Sequence, residues 1–417
     1  MSVKMSVGSM RQDTADAIPF ARPFIGQEEE EAVLRVMRSG WLTTAGEALA
    51  FEREFAARLG ENAVDPPAGA AAVSSATAGL HLALEACGVG AGDVVLVPSY
   101  TFASTAEVAV CLGAEAAFID CAEDSFLLDA ENLEMTARRL SEGKTAYETG
   151  GPSGRPRAVI PVHFGGLCCD MEAVRGIARD YGMAVIEDAA HAFPAYSARG
   201  VPAGTLGDAG VFSFYSTKTL TTGEGGMVVS PNLEIIKRVS LMRMHGIDRS
   251  VWNRYTDAGA SWRYEVAEAG YKYNLPDILA AIGRVQLRRA DDLLGKRRSI
   301  AARYDAAFSG GPFFSVPPTA EGDARHLYPL RLNSALSERI SRDECVWKLQ
   351  EQGIGVSVHF IPLHTMPYYR KRYKLKARDF PRAMDAFSRV VSLPLWPGMT
   401  DGQADRVIEA VLGLALP

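Results

Sequence analysis

Ser213-Phe-Tyr-Ser-Thr-Lys218-Thr-Leu-Thr-Thr-Gly-Glu-Gly-Gly226 is the stretch on which the fold turns. A short apolar run, residues 210–214, leads into it, and a second, residues 226–229, leaves it. Between them stand a lysine and a glycine-rich turn. Lysine is rarely buried without a partner or a task. Placed at the end of a strand, it has a fixed backbone and a partly desolvated amine, the setting a Schiff-base lysine needs. Taken by itself, the segment is better explained as a surface lysine in a turn, so the neighbouring segments decide its meaning.

Working outward, short apolar runs at residues 70–74, 94–97, 116–119, 158–162 and 184–186 read as strands. Helical patterns separate them at 78–87, 105–112 and 171–181. Ahead of these, residues 27–38 open with acids and close with bases before Ser39-Gly40, as a helix does. Phe51, Phe55 and Leu59 mark one face of another. Strands alternating with helices predict an α/β fold whose large, mostly parallel sheet is covered on both faces. Ligands in such sheets sit at the carboxyl ends of the strands. Residues 143–157 read as a surface loop, and 276–308 as a long helical stretch joining two domains. A smaller α/β unit follows Pro312, with Ser341 and Glu344 spaced as a capping box. The expected division is a tail over 1–17, a large domain over 18–290 with an N-terminal arm over 18–60, and a small C-terminal domain over 291–417.

Composition narrows the function classes. The 417 residues are 47% hydrophobic and 23% charged, with a formal net charge of -6, which is ordinary for a globular protein. Basic residues are spread along the chain with no stripe, so a nucleic-acid partner is not expected. The six cysteines form no C-x-x-C pair or metal-like cluster and read as reduced thiols of a cytoplasmic protein without a metal. No secretory signal or membrane-length apolar run occurs, so no membrane partner is expected.

Several further segments place polar residues just after strands. In Ala184-Val-Ile-Glu187-Asp188-Ala-Ala-His191 an apolar strand ends in carboxylates. Pyridoxal phosphate needs an acid at its ring nitrogen to keep the ring an electron sink, and Asp188 is the candidate, with His191 nearby. A strand-end acid that caps the next helix explains Asp188 equally. In Val73-Ser-Ser75-Ala76-Thr77-Ala-Gly79 small hydroxyl residues precede a helix, whose free N–H groups suit a phosphate. A plain N-cap accounts for Ser75 and Thr77 as well. Phe102, in Pro98-Ser-Tyr-Thr-Phe102, is placed to stack on a flat ring, although a lone Phe is more often core. His163, in Pro161-Val-His163, is either a site residue or a structural histidine. Gly88, Gly90 and Gly92 follow a helix and lack the spacing of a dinucleotide fingerprint.

Together these segments resemble the DegT/DnrJ/EryC1/StrS family of sugar aminotransferases. The likeness also rests on Ser39-Gly-Trp-Leu-Thr-Thr44, Gly223-Glu-Gly-Gly226, Gly270-Tyr-Lys-Tyr-Asn274, His359-Phe360 and Ser392-Leu-Pro-Leu-Trp-Pro-Gly-Met-Thr400. It runs in order from Ile18 to the C-terminus and looks nearest to enzymes that aminate a UDP-linked 4-keto-pentose of the 4-amino-4-deoxy-L-arabinose type. The resemblance implies a type I, aspartate aminotransferase-like fold and a homodimer with shared active sites. By position it implies Lys218 as the Schiff-base lysine, Asp188 as the ring-nitrogen partner and His191 beside the phenolic oxygen. Phe102 would be the stacking ring, and Thr77 and Ser213 phosphate ligands, with Ser75, Ala76 and His163 around the cofactor. Asn274, or in its place Lys272, would reach the phosphate from the neighbouring subunit. Thr43, Thr44, His359, His364 and Tyr368 fall in stretches that line the sugar site in similar enzymes.

The expected activity is transfer of an amino group, from glutamate, to the C4 ketone of a nucleotide-linked sugar. A C3 ketone is the alternative. A sugar dehydratase of this fold would carry histidine in place of Lys218, and an amino-acid lyase would ignore nucleotide sugars. A non-enzymatic cofactor-binding protein would not need the lysine at all.

Overall fold

Within single strands the apolar side chains divide between two cores. The computed structural model describes residues 17–247 and 264–416, so most of the expected tail lies outside the described residues. The large sheet contains β1 (Gly69–Val73), β2 (Asp93–Pro98), β3 (Glu115–Ile119), β4 (Arg155–Val159), β5 (Ala184–Asp188), β6 (Ala209–Ser213) and β7 (Gly226–Ser230). In β2, Val95 and Val97 enter one core and Val94 and Leu96 another, and all are fully buried. In β3, Phe118 joins the first core and Ile119 the second. Strands buried on both faces require helices on both sides and therefore crossover connections.

The spatial order is β1-β7-β6-β5-β4-β2-β3. β7 runs antiparallel to both its neighbours, and the other pairings are parallel. With β7 alone reversed, the carboxyl ends of β1, β2, β5 and β6 share one edge, and the site forms there.

The first two helices are α1 (Gln27–Ser39) and α2 (Gly46–Gly60). α2 buries Phe51, Phe55 and Leu59 against Phe212 and Phe214. α3 (Ala76–Ala86), α4 (Ser104–Cys111), α5 (Ala130–Ser141), α6 (Met171–Asp180) and α7 (Leu233–Met242) cover the faces, with α3, α4 and α7 on one and α5 and α6 on the other. Glycine lets α3 approach closely. A Cβ at Gly79 would lie 2.7 Å from Val211 Cγ1, and one at Gly226 would lie 2.7 Å from the Ala76 nitrogen. The start of α3 is thereby pressed onto β6 and β7.

Several elements depart from the sequence reading. α3 begins two residues earlier than expected, which places Ala76 and Thr77 in its first turn. β4 spans Arg155–Val159 rather than 158–162, because Pro161 has no N–H to extend a ladder. Its exposed first arginine made it resemble the end of the loop. Residues 276–308 form two helices, α8 (Asp277–Arg288) and α9 (Ala290–Phe308), broken at Arg289. α8 packs in the cores of α1 and α2 while α9 belongs to the small sheet, and one straight rod cannot serve both. The Ser341 hydroxyl does accept the Glu344 N–H, but the Glu344 carboxylate turns to Lys348 instead of closing a capping box. α5 and α7 were not anticipated.

The second sheet is antiparallel, ordered β10-β9-β8, from β8 (Phe314–Ser315), β9 (Tyr328–Leu332) and β10 (Val390–Leu393). Two connections bind it to the large sheet. Ile18 of the N-terminal arm bonds Gly353 and Gly355 and is buried in the small core. Conversely, Tyr369, Tyr373 and Phe380 reach back into the core around Phe118.

Candidate active site

The segment after β6 is tied down by its threonines. The Thr219 hydroxyl donates to the Phe193 carbonyl, and Thr221 Oγ1 donates to the Phe214 carbonyl at 3.1 Å. The Lys218 amide donates to the Tyr215 carbonyl at 2.9 Å. The Lys218 side chain, in contrast, makes no hydrogen bond or ion pair among the described residues. It projects into a cavity of about 480 Å³, within the size range of small-molecule sites. Burial pushes its amine down to about 8, against the opposing pull of Asp188. At pH 7 such an amine is about one-tenth free base, whereas at an ordinary pKa of 10.5 it would be about 0.03%. We therefore expect capture of an aldehyde cofactor by the apoprotein to speed up about tenfold per pH unit up to about pH 8 and then level off. Stopped-flow absorbance checks this, and a profile still rising through pH 9 would contradict it.

Asp188 closes β5 and is 5% exposed. Thr105 Oγ1 donates to its Oδ2 at 2.9 Å, and the Ala190 N–H donates to Oδ1 at 3.2 Å. Thr105 in turn meets the Thr101 hydroxyl at 2.9 Å. Burial raises the Asp188 pKa, and the Thr105 and Ala190 hydrogen bonds and then Lys218 oppose that rise. A buried acid so placed favours a cationic N–H opposite it.

Strand alternation sends the preceding Glu187 to the other side. Its carboxylate accepts the amides of Gly204, Leu206 and Gly207 and lies 2.8 Å from His163 Nε2. His163 Nδ1 accepts the Cys169 N–H, so the ring is satisfied at both nitrogens. His163 is fully buried and is not a lining residue of the cavity. We expect Glu187→Ala, which strands these buried donors, to cost about 3 kcal/mol or more. Urea unfolding measures it, and a loss below about 1 kcal/mol would be inconsistent with this network.

Ser75, Ala76, Thr77, Phe102, Asp188, His191, Ser213, Lys218 and His359 all line the cavity. Ser75 caps α3, its Oγ accepting the Ala78 N–H at 3.1 Å. The first amides of the helix have no intrahelical acceptor, so those of Ala76 and Thr77 suit an anion. Phe102 is 61% exposed, which excludes a core role and leaves a ring face free in the cavity. His191 Nδ1 accepts the Gly165 N–H at 3.2 Å, so its proton resides on Nε2. Burial, then Lys218 and His359, hold His191 well below the usual histidine range.

The remaining expected residues lie elsewhere in the chain. His364 is fully buried, with Nδ1 2.5 Å from Ser99 Oγ and its ring on Phe380. Tyr368 is exposed beside Tyr369, and Thr43 is exposed. Thr44 Oγ1 accepts from Asn274 and donates to the Leu275 carbonyl, and Lys272 bonds Asn274. This group lies outside the cavity of its own chain.

Three contributors escaped the sequence reading. Phe20, from the N-terminal arm, lines the cavity and stacks on His359 with centroids 5.3 Å apart. Thr105 is visible only as the partner of Asp188. His326 stands just before β9, with no local pattern to mark it.

A free buried lysine, a buried acid, an exposed aromatic ring and an open helix N-terminus around one cavity meet the requirements of pyridoxal phosphate. On a mostly parallel sheet they define the class, a type I pyridoxal-phosphate-dependent transferase. Residues 23–412 match the DegT/DnrJ/EryC1/StrS aminotransferase family, and the chain belongs to it. It is a pyridoxal-phosphate-dependent sugar aminotransferase. The chain is 41% identical over 399 residues to the spore coat polysaccharide biosynthesis protein SpsC of Bacillus subtilis, covering 94% of this chain and 96% of that one. Spr1654 from Streptococcus pneumoniae, solved in its PLP form, superposes with a TM-score of 0.82 at 28% identity over 96% of this chain and 98% of that one. DesV of S. venezuelae gives 0.80 at 31% identity over 96% and 100%.

Proposed function

We propose that the chain transfers an amino group from glutamate to the C4 ketone of a nucleotide-linked keto-sugar, a 4-keto-pentose being the first candidate. The supporting observation is that Lys218 and Asp188 meet in one cavity whose other ionisable lining is dominated by histidines held neutral. Neutral donors and acceptors suit the hydroxyls and carbonyl of a sugar. The relationship to SpsC adds a polysaccharide-building relative.

Bound pyridoxal phosphate supplies an aldehyde that condenses with amines and a ring that draws electrons from the breaking bond. Lys218 Nζ would hold the cofactor and, as a free amine, would move a proton at the donor α-carbon. Asp188, fixed by Thr105 and Ala190, would face the ring nitrogen and hold its proton. His191 Nε2–H would be the donor for the phenolic oxygen. The Ala76 and Thr77 amides, with Ser75 and Ser213, would hold the phosphate, and Phe102 would cover the ring.

A homodimer completes this reading. The cavity carries exposed Phe102 and Tyr215, and Lys272 and Asn274 present their polar ends outside their own cavity. We assign Asn274, or in its place Lys272, to the phosphate of the adjoining subunit, and Thr43, Thr44, His359 and Tyr368 to the sugar side, whereas His364, fully buried against Ser99 and Phe380, is a structural residue. All six cysteines are free, which suits a cytoplasmic enzyme. No helix among the described residues is long and apolar enough to cross a membrane.

The test is spectroscopic. Purified protein loaded with pyridoxal phosphate receives glutamate and then a panel of UDP- and dTDP-linked 3- and 4-keto-sugars. Bleaching by glutamate and recovery with one 4-keto-sugar is expected. Recovery only with 3-keto-sugars would move the reaction to C3, and no recovery would remove the substrate class.

A further inference from the structure

His326 is 5% exposed and lines the cavity, yet its side chain makes no hydrogen bond among the described residues. Nδ1 is sealed from solvent with no partner, which leaves Nε2 as the nitrogen open to the cavity. A buried N–H without an acceptor is costly, and a carbonyl-like lone pair without a donor is tolerated better. The proton therefore sits on Nε2 and faces the ligand space. Burial holds the ring uncharged, and the groups facing it, His191, Lys218, Arg297 and His359, act in the same direction.

The backbone fixes this ring relative to His191. Gly165 donates its N–H to His191 Nδ1 at 3.2 Å, and its carbonyl accepts the backbone N–H of His326 at 2.9 Å. Gly165 has φ +65°, the left-handed conformation that glycine adopts without strain. One residue thus anchors the His191 ring and the His326 backbone, and the two ring centroids lie 4.5 Å apart. Two neutral imidazoles present N–H donors side by side. A carboxylate would be better met by a cation, whereas a carbonyl or hydroxyl oxygen is well met by a neutral imidazole, which can polarise a ketone without giving up its proton.

We propose that His326 is a specificity-determining residue whose Nε2–H binds an uncharged oxygen of the keto-sugar, its carbonyl or an adjacent hydroxyl, during the sugar half of the reaction. This rests on the proposed sugar reading. An apolar residue would fill the position at lower cost to folding, since a buried polar nitrogen without a partner is destabilising. The retained imidazole is explained if a ligand supplies that partner.

The test compares His326→Phe and His326→Gln with the wild type, each loaded with cofactor. Three quantities are read: the rate of bleaching by glutamate, the rate of recovery with a UDP-linked 4-keto-pentose and a dTDP-linked 4-keto-6-deoxyhexose, and the melting temperature. For His326→Phe, kcat/KM of the sugar half should fall about 10- to 100-fold more than that of the glutamate half. The melting temperature should be unchanged or higher. His326→Gln, which keeps an N–H donor, should recover part of the loss. Equal losses in both halves, an unaffected sugar half, or a lowered melting temperature with both variants equally impaired would each overturn the inference. A wild-type enzyme that neither sugar restores would instead remove the sugar reading and this inference with it.

Discussion

Lys218→Ala is expected to bind pyridoxal phosphate without the absorbance of the lysine-bound cofactor and to lose both half-reactions by more than about 10⁴-fold. Two functions disappear together, the covalent anchor and the amine that moves a proton at the donor α-carbon. No other amine lines the cavity among the described residues, so nothing can substitute. Folding should not suffer. A buried amine without a hydrogen bond is a cost to the native state, so the melting temperature should hold or rise. Lys218→Arg separates charge from chemistry, since it restores a cation but no amine that condenses with an aldehyde. Single-turnover absorbance with glutamate reads the loss. Borohydride trapping followed by peptide mass spectrometry should place the cofactor on Lys218 in the wild type. Retention of the glutamate half-reaction to within tenfold in Lys218→Ala would exclude Lys218 as the catalytic amine.

Asp188→Ala should behave differently. Lys218 remains, so the lysine-bound spectrum should still form, but turnover should fall by about 10³-fold or more. The carboxylate is oriented by Thr105 and Ala190 and is almost wholly buried, so its interaction with a ring N–H is poorly screened by water. Its removal leaves that proton without a buried counter-charge, and the ring draws electrons less strongly. Asp188→Asn keeps the shape and should lose nearly as much, which identifies charge as the cause. A Thr105→Val variant, which removes one orienting hydroxyl, should fall between these and the wild type. Steady-state kinetics beside the absorbance spectrum checks the series. A turnover loss in Asp188→Ala matched by loss of the spectrum would reduce Asp188 to a residue needed for cofactor retention.

Much of this architecture is legible in local pattern. Runs such as Val94-Val-Leu-Val97 are short and apolar at every position, as suits a strand buried on both faces. Their alternation with helical patterns then implies helices on both sides and a mostly parallel sheet. The order in which small, acidic, aromatic and lysine-bearing segments follow those strands then indicates one edge of the sheet. Local pattern was less reliable at boundaries. Pro161 interrupts the run expected to form β4, and exposed Arg155 conceals where that strand begins. The break at Arg289 depends on two separate cores pulling on successive helices.

Chain order and residue type therefore determined the family and the mostly parallel sheet and singled out Lys218 and Asp188 as candidates, because each depends on short-range periodicity or on a motif whose spacing is maintained by one strand and its turn. Tertiary structure alone decided which polar residues face the cavity. Glu187 and Asp188 are neighbours in sequence, and strand alternation sends one to a buried anchor of backbone amides and the other to the site. His163 and His326 look equally isolated in the chain. One is satisfied by Glu187 and the Cys169 amide, while the other is brought beside His191 through the backbone of Gly165 with a nitrogen left open. That difference arises from hydrogen bonds made only in the folded chain, the one between Gly165 and His326 joining segments far apart in sequence, and no local pattern records it.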